Sequence, residues 1–280
     1  MKTAPFGPAR IELPVIGQGT WDLERTSERQ AIAVLQTGLD AGMIHIDTAE
    51  MYGSGRVERI VGHAIQGRRD EVFLVSKVLP VNASYKDTIV ACDRSLKQLG
   101  TDYLDVYLLH WRGNIPLMET FSAFEQLKAN GKIKSYGVSN FDVNDLEEAI
   151  AITGEDRIVC NQVLYHLTER SIEHAVIPCC RRHDVAMVAY SPFGSGSFPS
   201  PRSAGGRVLA AIAKKRRVST HQIALAFLVQ QSGVFAIPKT ADKAHVLDNA
   251  AAGDLELTAS EINEIAAAFP VKHRRDLPML

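Results

Sequence analysis

The sequence predicts an α/β protein folded as a (β/α)8 TIM barrel, with an N-terminal β-hairpin before the barrel and an extra C-terminal helix after it. Eight short runs rich in Val, Ile and Leu recur along the chain, at 15–19, 43–47, 72–77, 105–110, 135–139, 158–162, 186–190 and 234–237. They are mostly apolar throughout rather than alternating, which suits parallel strands covered on both faces. Helical stretches separate them. No Pro/Gly/Ser-rich linker divides the 280 residues, so one domain over 1–280 is expected.

The elements follow in order. Residues 3–13 read as a short hairpin turning at Gly7-Pro8. Ser27-x-x-Gln30 and Ser219-x-x-Gln222 have the capping-box pattern, in which a hydroxyl and an amide satisfy exposed N–H groups of a helix start. Leu96, Leu99 and Gly100 close the third helix, with the glycine as its stop. The basic run Lys214-Lys215-Arg216-Arg217 lies in a helical pattern with Val208, Leu209 and Ile212 on the apolar side, so it reads as a solvated face. A last helix opens at Thr258-x-x-Glu261. Residues 191–206, rich in Gly, Ser and Pro, follow the seventh strand, where a barrel places a substrate or cofactor loop.

Composition narrows the function classes. A net charge of −1 argues against a nucleic-acid partner, which needs cations along a phosphate track. No apolar stretch is long enough to span a bilayer, and the N-terminus lacks a signal-peptide core. The cysteines, Cys92, Cys160, Cys179 and Cys180, form no Cys-x-x-Cys pair and have no His cluster near them at zinc spacing. Reduced thiols, no metal and a cytoplasmic location are expected. No dimer-forming apolar face stands out, so a monomer is expected.

In such a barrel the site lies at the C-terminal ends of the strands. Those ends carry Gly19-Thr20-Trp21, Asp47, Lys77, His110, Ser139-Asn140, Gln162, Tyr190-Ser191 and Lys239. Neighbouring strands lie about 5 Å apart, so Asp47 and Lys77 can pair. Tyr52, five residues after Asp47, can fold back over the mouth. A tyrosine has a pKa of about 10, and a nearby ammonium is expected to lower it. A shift of two units needs roughly 2.7 kcal/mol of coupling. His110 can hydrogen-bond a substrate oxygen. This set suits proton delivery to a carbonyl oxygen and supplies no hydride, so a reduction must take one from a cofactor. Each residue has a plainer reading: a structural Asp47–Lys77 ion pair, a packing Tyr52, a satisfied buried His110 beside Trp111. Their convergence on neighbouring strand ends favours a site.

The chain resembles the aldo-keto reductases along nearly its whole length. The matching segments are Gly19-Thr20-Trp21, Ile46-Asp47-Thr48-Ala49-Glu50-Met51-Tyr52-Gly53, Val75-Ser76-Lys77-Val78 and the run from Asp102 to Trp111. Gly137-Val138-Ser139-Asn140-Phe141, Asn161-Gln162, Ala189-Tyr190-Ser191-Pro192 and Ile237-Pro238-Lys239 follow. The resemblance implies a catalytic tetrad of Asp47, Tyr52, Lys77 and His110, with Tyr52 the proton donor, Lys77 and Asp47 tuning it and His110 orienting the carbonyl. It implies a nicotinamide cofactor lying across the barrel mouth without a Rossmann domain. Consistently, Gly17-x-Gly19 is not completed to Gly-x-Gly-x-x-Gly, because Asp22 stands at the last position.

By the same resemblance Gly19, Thr20, Trp21 and Asp47 border the cofactor, and Tyr190 stacks on its nicotinamide. Ser139, Asn140 and Gln162 bind its carboxamide. Ser191, Pro192, Phe193 and Ser195 lie along the pyrophosphate. Lys239 and Thr240 meet the 2′-phosphate, and Asp248 and Asn249 face the adenine. Ser139-Asn140 also reads as a cap for a helix starting near Asp142. Where the family often carries an arginine, His245 stands here, so a phosphate-gripping fork is missing, and Asp242 adds a carboxylate nearby. NADP(H) is the expected cofactor, with NAD(H) the alternative. The substrate is expected to be a small carbonyl compound between Trp21 and Trp111, over Tyr52 and His110. The surroundings of Met51-Tyr52 and Tyr190-Ser191-Pro192 resemble the bacterial branch that reduces methylglyoxal and other 2-oxoaldehydes. The alternatives are a Schiff-base aldolase using Lys77 and a non-catalytic, cofactor-sensing subunit.

Overall fold

The computed structural model describes residues 1–272 and 276–280. An antiparallel hairpin, β1 (Thr3–Phe6) and β2 (Ile11–Pro14), precedes the barrel. The barrel then alternates β3 (Gln18–Gly19), α1 (Glu28–Asp40), β4 (His45–Asp47), α2 (Arg56–Ala64), β5 (Phe73–Val78), α3 (Tyr85–Leu99), β6 (Leu104–Leu109) and α4 (Leu117–Ala129). It continues with β7 (Ile133–Ser139), α5 (Val143–Thr153), β8 (Ile158–Leu164), α6 (Val176–Arg182), β9 (Ala186–Tyr190), α7 (Ala204–Arg216), α8 (Thr220–Val229) and β10 (Val234–Ile237). Two helices follow, α9 (Lys243–Ala252) and α10 (Ala259–Ala268). Strands β3 to β10 form one parallel sheet in sequence order.

The seam closes between the first and last strands. Gly17 N–H donates to Ala236 O at 2.8 Å, Ala236 N–H to Val15 O at 2.9 Å, and Gly19 N–H to Pro238 O at 3.0 Å. Gly19 is needed there: a Cβ on it would stand 2.6 Å from Ile237 O. The expected first strand at 15–19 therefore shortens to β3, with residues 15–17 held by single bonds to the last strand. The other strands fall within two residues of expectation.

Packing explains the helices. In α1 the buried residues Ala31, Val34, Leu35, Gly38 and Leu39 repeat at three and four, one stripe against the sheet. Every residue of β5, β6 and β8 is buried, as strands covered on both faces must be. Ser219–Gln222 and Thr258–Glu261 form complete capping boxes. Ser27 caps α1 by accepting from Gln30 N–H, but the reciprocal half is absent, because the Gln30 amide donates to Ala241 O at 2.8 Å instead. Gly100 ends α3 with φ 63°. Lys214 and Lys215 are exposed, and Arg216 pairs with Glu261. Among the described residues no helix is long and apolar enough to cross a membrane.

The hairpin plugs the barrel floor. Phe6 packs edge-on against Phe73, Phe235 and His45, with ring centroids 5.3, 5.0 and 6.1 Å away. His45 is buried, with neither ring nitrogen hydrogen-bonded among the described residues, and burial lowers its pKa to about 4 from an ordinary 6.5. The folded chain thus keeps this imidazole neutral where the unfolded chain protonates it. Stability is insensitive to His45 above pH 6.5 and falls as pH drops toward 4, by about 3 kcal/mol in total. His45→Leu should flatten this acid limb by about 1.4 kcal/mol per pH unit in denaturant melts across that window. Parallel limbs for the two proteins would refute the assignment.

Candidate active site

The strand ends deliver their polar residues to one mouth. Asp47 ends β4, Lys77 stands next to last in β5, and His110 follows β6. The Lys77 side chain is fully buried, and its Nζ donates to Asp47 Oδ1 at 2.6 Å, to Thr48 O at 2.9 Å and to the Tyr52 hydroxyl at 3.2 Å. The second oxygen of Asp47 accepts from Gln162 Nε2 at 2.7 Å. The rings of Tyr52 and His110 meet edge to face, 5.9 Å between centroids. All four proposed tetrad residues therefore meet at one point.

The electrostatics depart from the sequence expectation in one respect. Burial pushes the Tyr52 phenol above its ordinary pKa, and Lys77 only partly offsets that. The expected lowering by the lysine is present as a component but loses to desolvation. The phenol is consequently protonated at neutral pH, as a proton donor must be. Burial alone would lower Lys77, but Asp47 and Tyr52 together outweigh it and hold the ammonium charged. That removes the free amine a Schiff base would need. Burial, and then Lys77, lower His110 to about 2, so its imidazole is neutral. Its Nδ1 is buried without a hydrogen-bond partner among the described residues, which does not match the reading of His110 as a satisfied core histidine.

These groups open into a cavity of about 440 Å³. Trp21 and Trp111 form its walls, Tyr52 and His110 line it, and Asp47, Gly19 and Thr20 border it. Ser139, Asn140, Gln162 and Tyr190 lie along another side, followed by Ser191, Pro192, Phe193, Ser195 and Lys239. Asn140 is wired in place: its Nδ2 donates to His110 O at 3.0 Å, and its Oδ1 accepts from the Tyr190 hydroxyl at 3.0 Å. The expected helix cap at Ser139-Asn140 falls instead to Asp142, whose carboxylate accepts from Asp145 N–H.

The profile of the Aldo/keto reductase family matches residues 15–269. The protein belongs to that family. A methylglyoxal reductase, YeaE of Escherichia coli, is 43% identical to this aldo-keto reductase over 262 residues, covering 93% of this chain and 92% of that one. The methylglyoxal reductase DkgB of Salmonella typhi is 31% identical, covering 92% and 93%. An aldo/keto reductase from Klebsiella pneumoniae, solved in complex with NADP and acetate, superposes with a TM-score of 0.93 at 42% identity, over 100% of this chain and 99% of its own.

Of the residues expected at the adenosine end of this aldo-keto reductase, only Lys239 lines the cavity. Thr240, His245, Asp248 and Asn249 lie outside the cavity lining, at or on α9 beyond Lys239. Asp242 caps α9, accepting from Ala244 N–H at 2.7 Å and His245 N–H at 3.2 Å. Asp248 accepts from Ser219 Oγ at 2.5 Å. His221, unforeseen in the sequence, stacks on Phe198 at 4.0 Å and meets Phe193 edge-on, folding the 191–203 loop onto α8. Met51, Met279 and Leu280 also line the cavity unforeseen, and Leu280 N–H donates to the Tyr190 hydroxyl at 3.4 Å. A short apolar tail with no periodicity carries no signal of where it docks.

Away from the mouth the cysteines are free and buried, and burial pushes Cys92 and Cys180 up to about 12. Glu147, Cys179 and His183 bring donor atoms within 4.8 Å of one another, although Arg182 already pairs with Glu147 at 3.1 Å.

Proposed function

We propose that this protein reduces small aldehydes and ketones, methylglyoxal and other 2-oxoaldehydes among them, to alcohols with NADPH. The observation that carries this reading is the Tyr52 hydroxyl at the cavity, accepting from the buried Lys77 ammonium at 3.2 Å with the His110 ring 5.9 Å from its own; burial favours the protonated phenol and the neutral imidazole. The cofactor supplies the hydride when bound. The residues present suit it. The aromatic residue Tyr190 lines the cavity, and Ser139, Asn140 and Gln162 line it with amide and hydroxyl groups. The loop beyond has left-handed backbone at Ser191, Gly194, Ser195 and Gly196, a bend pattern that can turn N–H groups toward an anion.

In this reading His110 holds the carbonyl oxygen, and Tyr52 gives it a proton as negative charge develops there. Lys77 then faces a phenolate, which its positive charge stabilises, and Asp47 keeps that charge in place. The two tryptophans shape the pocket for small substrates. Lys239 and Lys243 supply the charge that favours NADPH, without an arginine fork and with Asp242 turned onto its own helix. Steady-state assays with methylglyoxal and an aromatic aldehyde should consume NADPH, with a lower KM for NADPH than for NADH. A lower KM for NADH would reverse the cofactor preference, and turnover of neither aldehyde would remove the substrate class.

A further inference from the structure

We propose that Glu50 is a positioning residue for the proton donor: its buried carboxylate clamps the loop that carries Tyr52 to the exit of β5 and to α3. The proposal rests on the reading of Tyr52 as the acid. Residues 48–51 have no helix or strand between β4 and the turn beginning at Tyr52. Backbone bonds hold the first part of this segment, with Thr48 N–H donating to Val75 O at 2.9 Å. That support thins at Glu50, whose N–H reaches Lys77 O only at 3.4 Å. Past Tyr52, Gly53, Ser54 and Gly55 are all left-handed, with φ of 52°, 53° and 84°, and two of them have no side chain with which to tether the loop.

Glu50 stands where this support thins, just before the left-handed stretch. Its side chain is 5% exposed. Oε1 accepts from Leu79 N–H at 2.7 Å and from Asn82 Nδ2 at 2.9 Å, and Oε2 pairs with Arg94 of α3. One carboxylate thus gathers three donors from two directions, in charge-assisted bonds that are short and directional. For stability alone a buried charge is a weak device, since an apolar residue of similar size is often as good. What the carboxylate adds is a fixed distance. Leu79 lies two residues beyond Lys77 on the same run of chain, and Glu50 lies two residues before Tyr52. Sliding this loop along the end of β5 would change the 3.2 Å separation of the Tyr52 hydroxyl from Lys77 Nζ. A misplacement of about 1 Å can cost on the order of a hundredfold in rate.

The test compares Glu50→Ala and Glu50→Gln with the unaltered protein by kcat, by NADPH affinity from fluorescence quenching, and by amide hydrogen exchange. Glu50→Ala should lower kcat by about tenfold to a hundredfold and leave NADPH affinity within about twofold. Faster exchange should be confined to the segment around 48–56. The amide oxygen of Glu50→Gln still accepts from Leu79 and Asn82, so it should recover most of the rate and the protection. If Glu50→Ala does not fold, Asn82→Ala removes one donor, leaves the carboxylate paired and should show a smaller loss of the same kind. The proposal is overturned by a kcat for Glu50→Ala within about twofold of the parent, by parallel loss of kcat and NADPH affinity, or by a Glu50→Gln as slow as Glu50→Ala. If the unaltered protein turned over no carbonyl, the reductase reading would fail instead, and exchange at 48–56 would still report on the clamp.

Discussion

Replacing Tyr52 by Phe is expected to cut kcat for aldehyde reduction by about a thousandfold, the scale of a lost general acid. NADPH binding should persist, because the ring that borders the cavity remains. The fold should persist as well. The hydroxyl accepts one bond, from Lys77, and that ammonium still donates to Asp47 Oδ1 and Thr48 O once the phenol is gone. No buried charge is left unpaired, so the variant separates chemistry from packing. A loss smaller than about tenfold would mean that another group delivers the proton.

Lys77→Met should fail on both counts. Asp47 is buried and its charge is answered mainly by Lys77 at 2.6 Å, with the Gln162 amide on its other oxygen. Removing one partner of a buried ion pair costs about 3–5 kcal/mol. Reduction should also stop, because proton transfer would leave a phenolate with no cation beside it. Adding Asp47→Asn to Lys77→Met removes the stranded charge and should restore most of the urea midpoint without restoring turnover. If the single variant melted like the parent, the pair would not matter for stability. If the double variant regained activity along with stability, the cation would have no chemical role.

These two effects show what was readable in the one-dimensional chain. Asp47, Lys77 and His110 stood out because each is a charged or polar residue closing an apolar run, and a barrel brings such ends together. The capping boxes at Ser219 and Thr258 were readable because their partners lie three residues apart. The Ser27 box is only half formed because Gln30 reaches Ala241, more than two hundred residues away. The direction of the Tyr52 shift is not legible for a similar reason: the lysine is visible in the sequence, whereas desolvation depends on everything packed around the ring. Of the residues expected near the adenosine, Asp242 and Asp248 are occupied by a helix terminus and by Ser219, contacts that no local pattern announces.

The most direct measurement follows the hydrogen itself. NADPH carrying deuterium at the transferable position of its nicotinamide C4 should reduce methylglyoxal to an alcohol bearing one deuterium on the former carbonyl carbon, one product per cofactor consumed. Product without that label, or cofactor oxidised with no alcohol formed, would contradict the account.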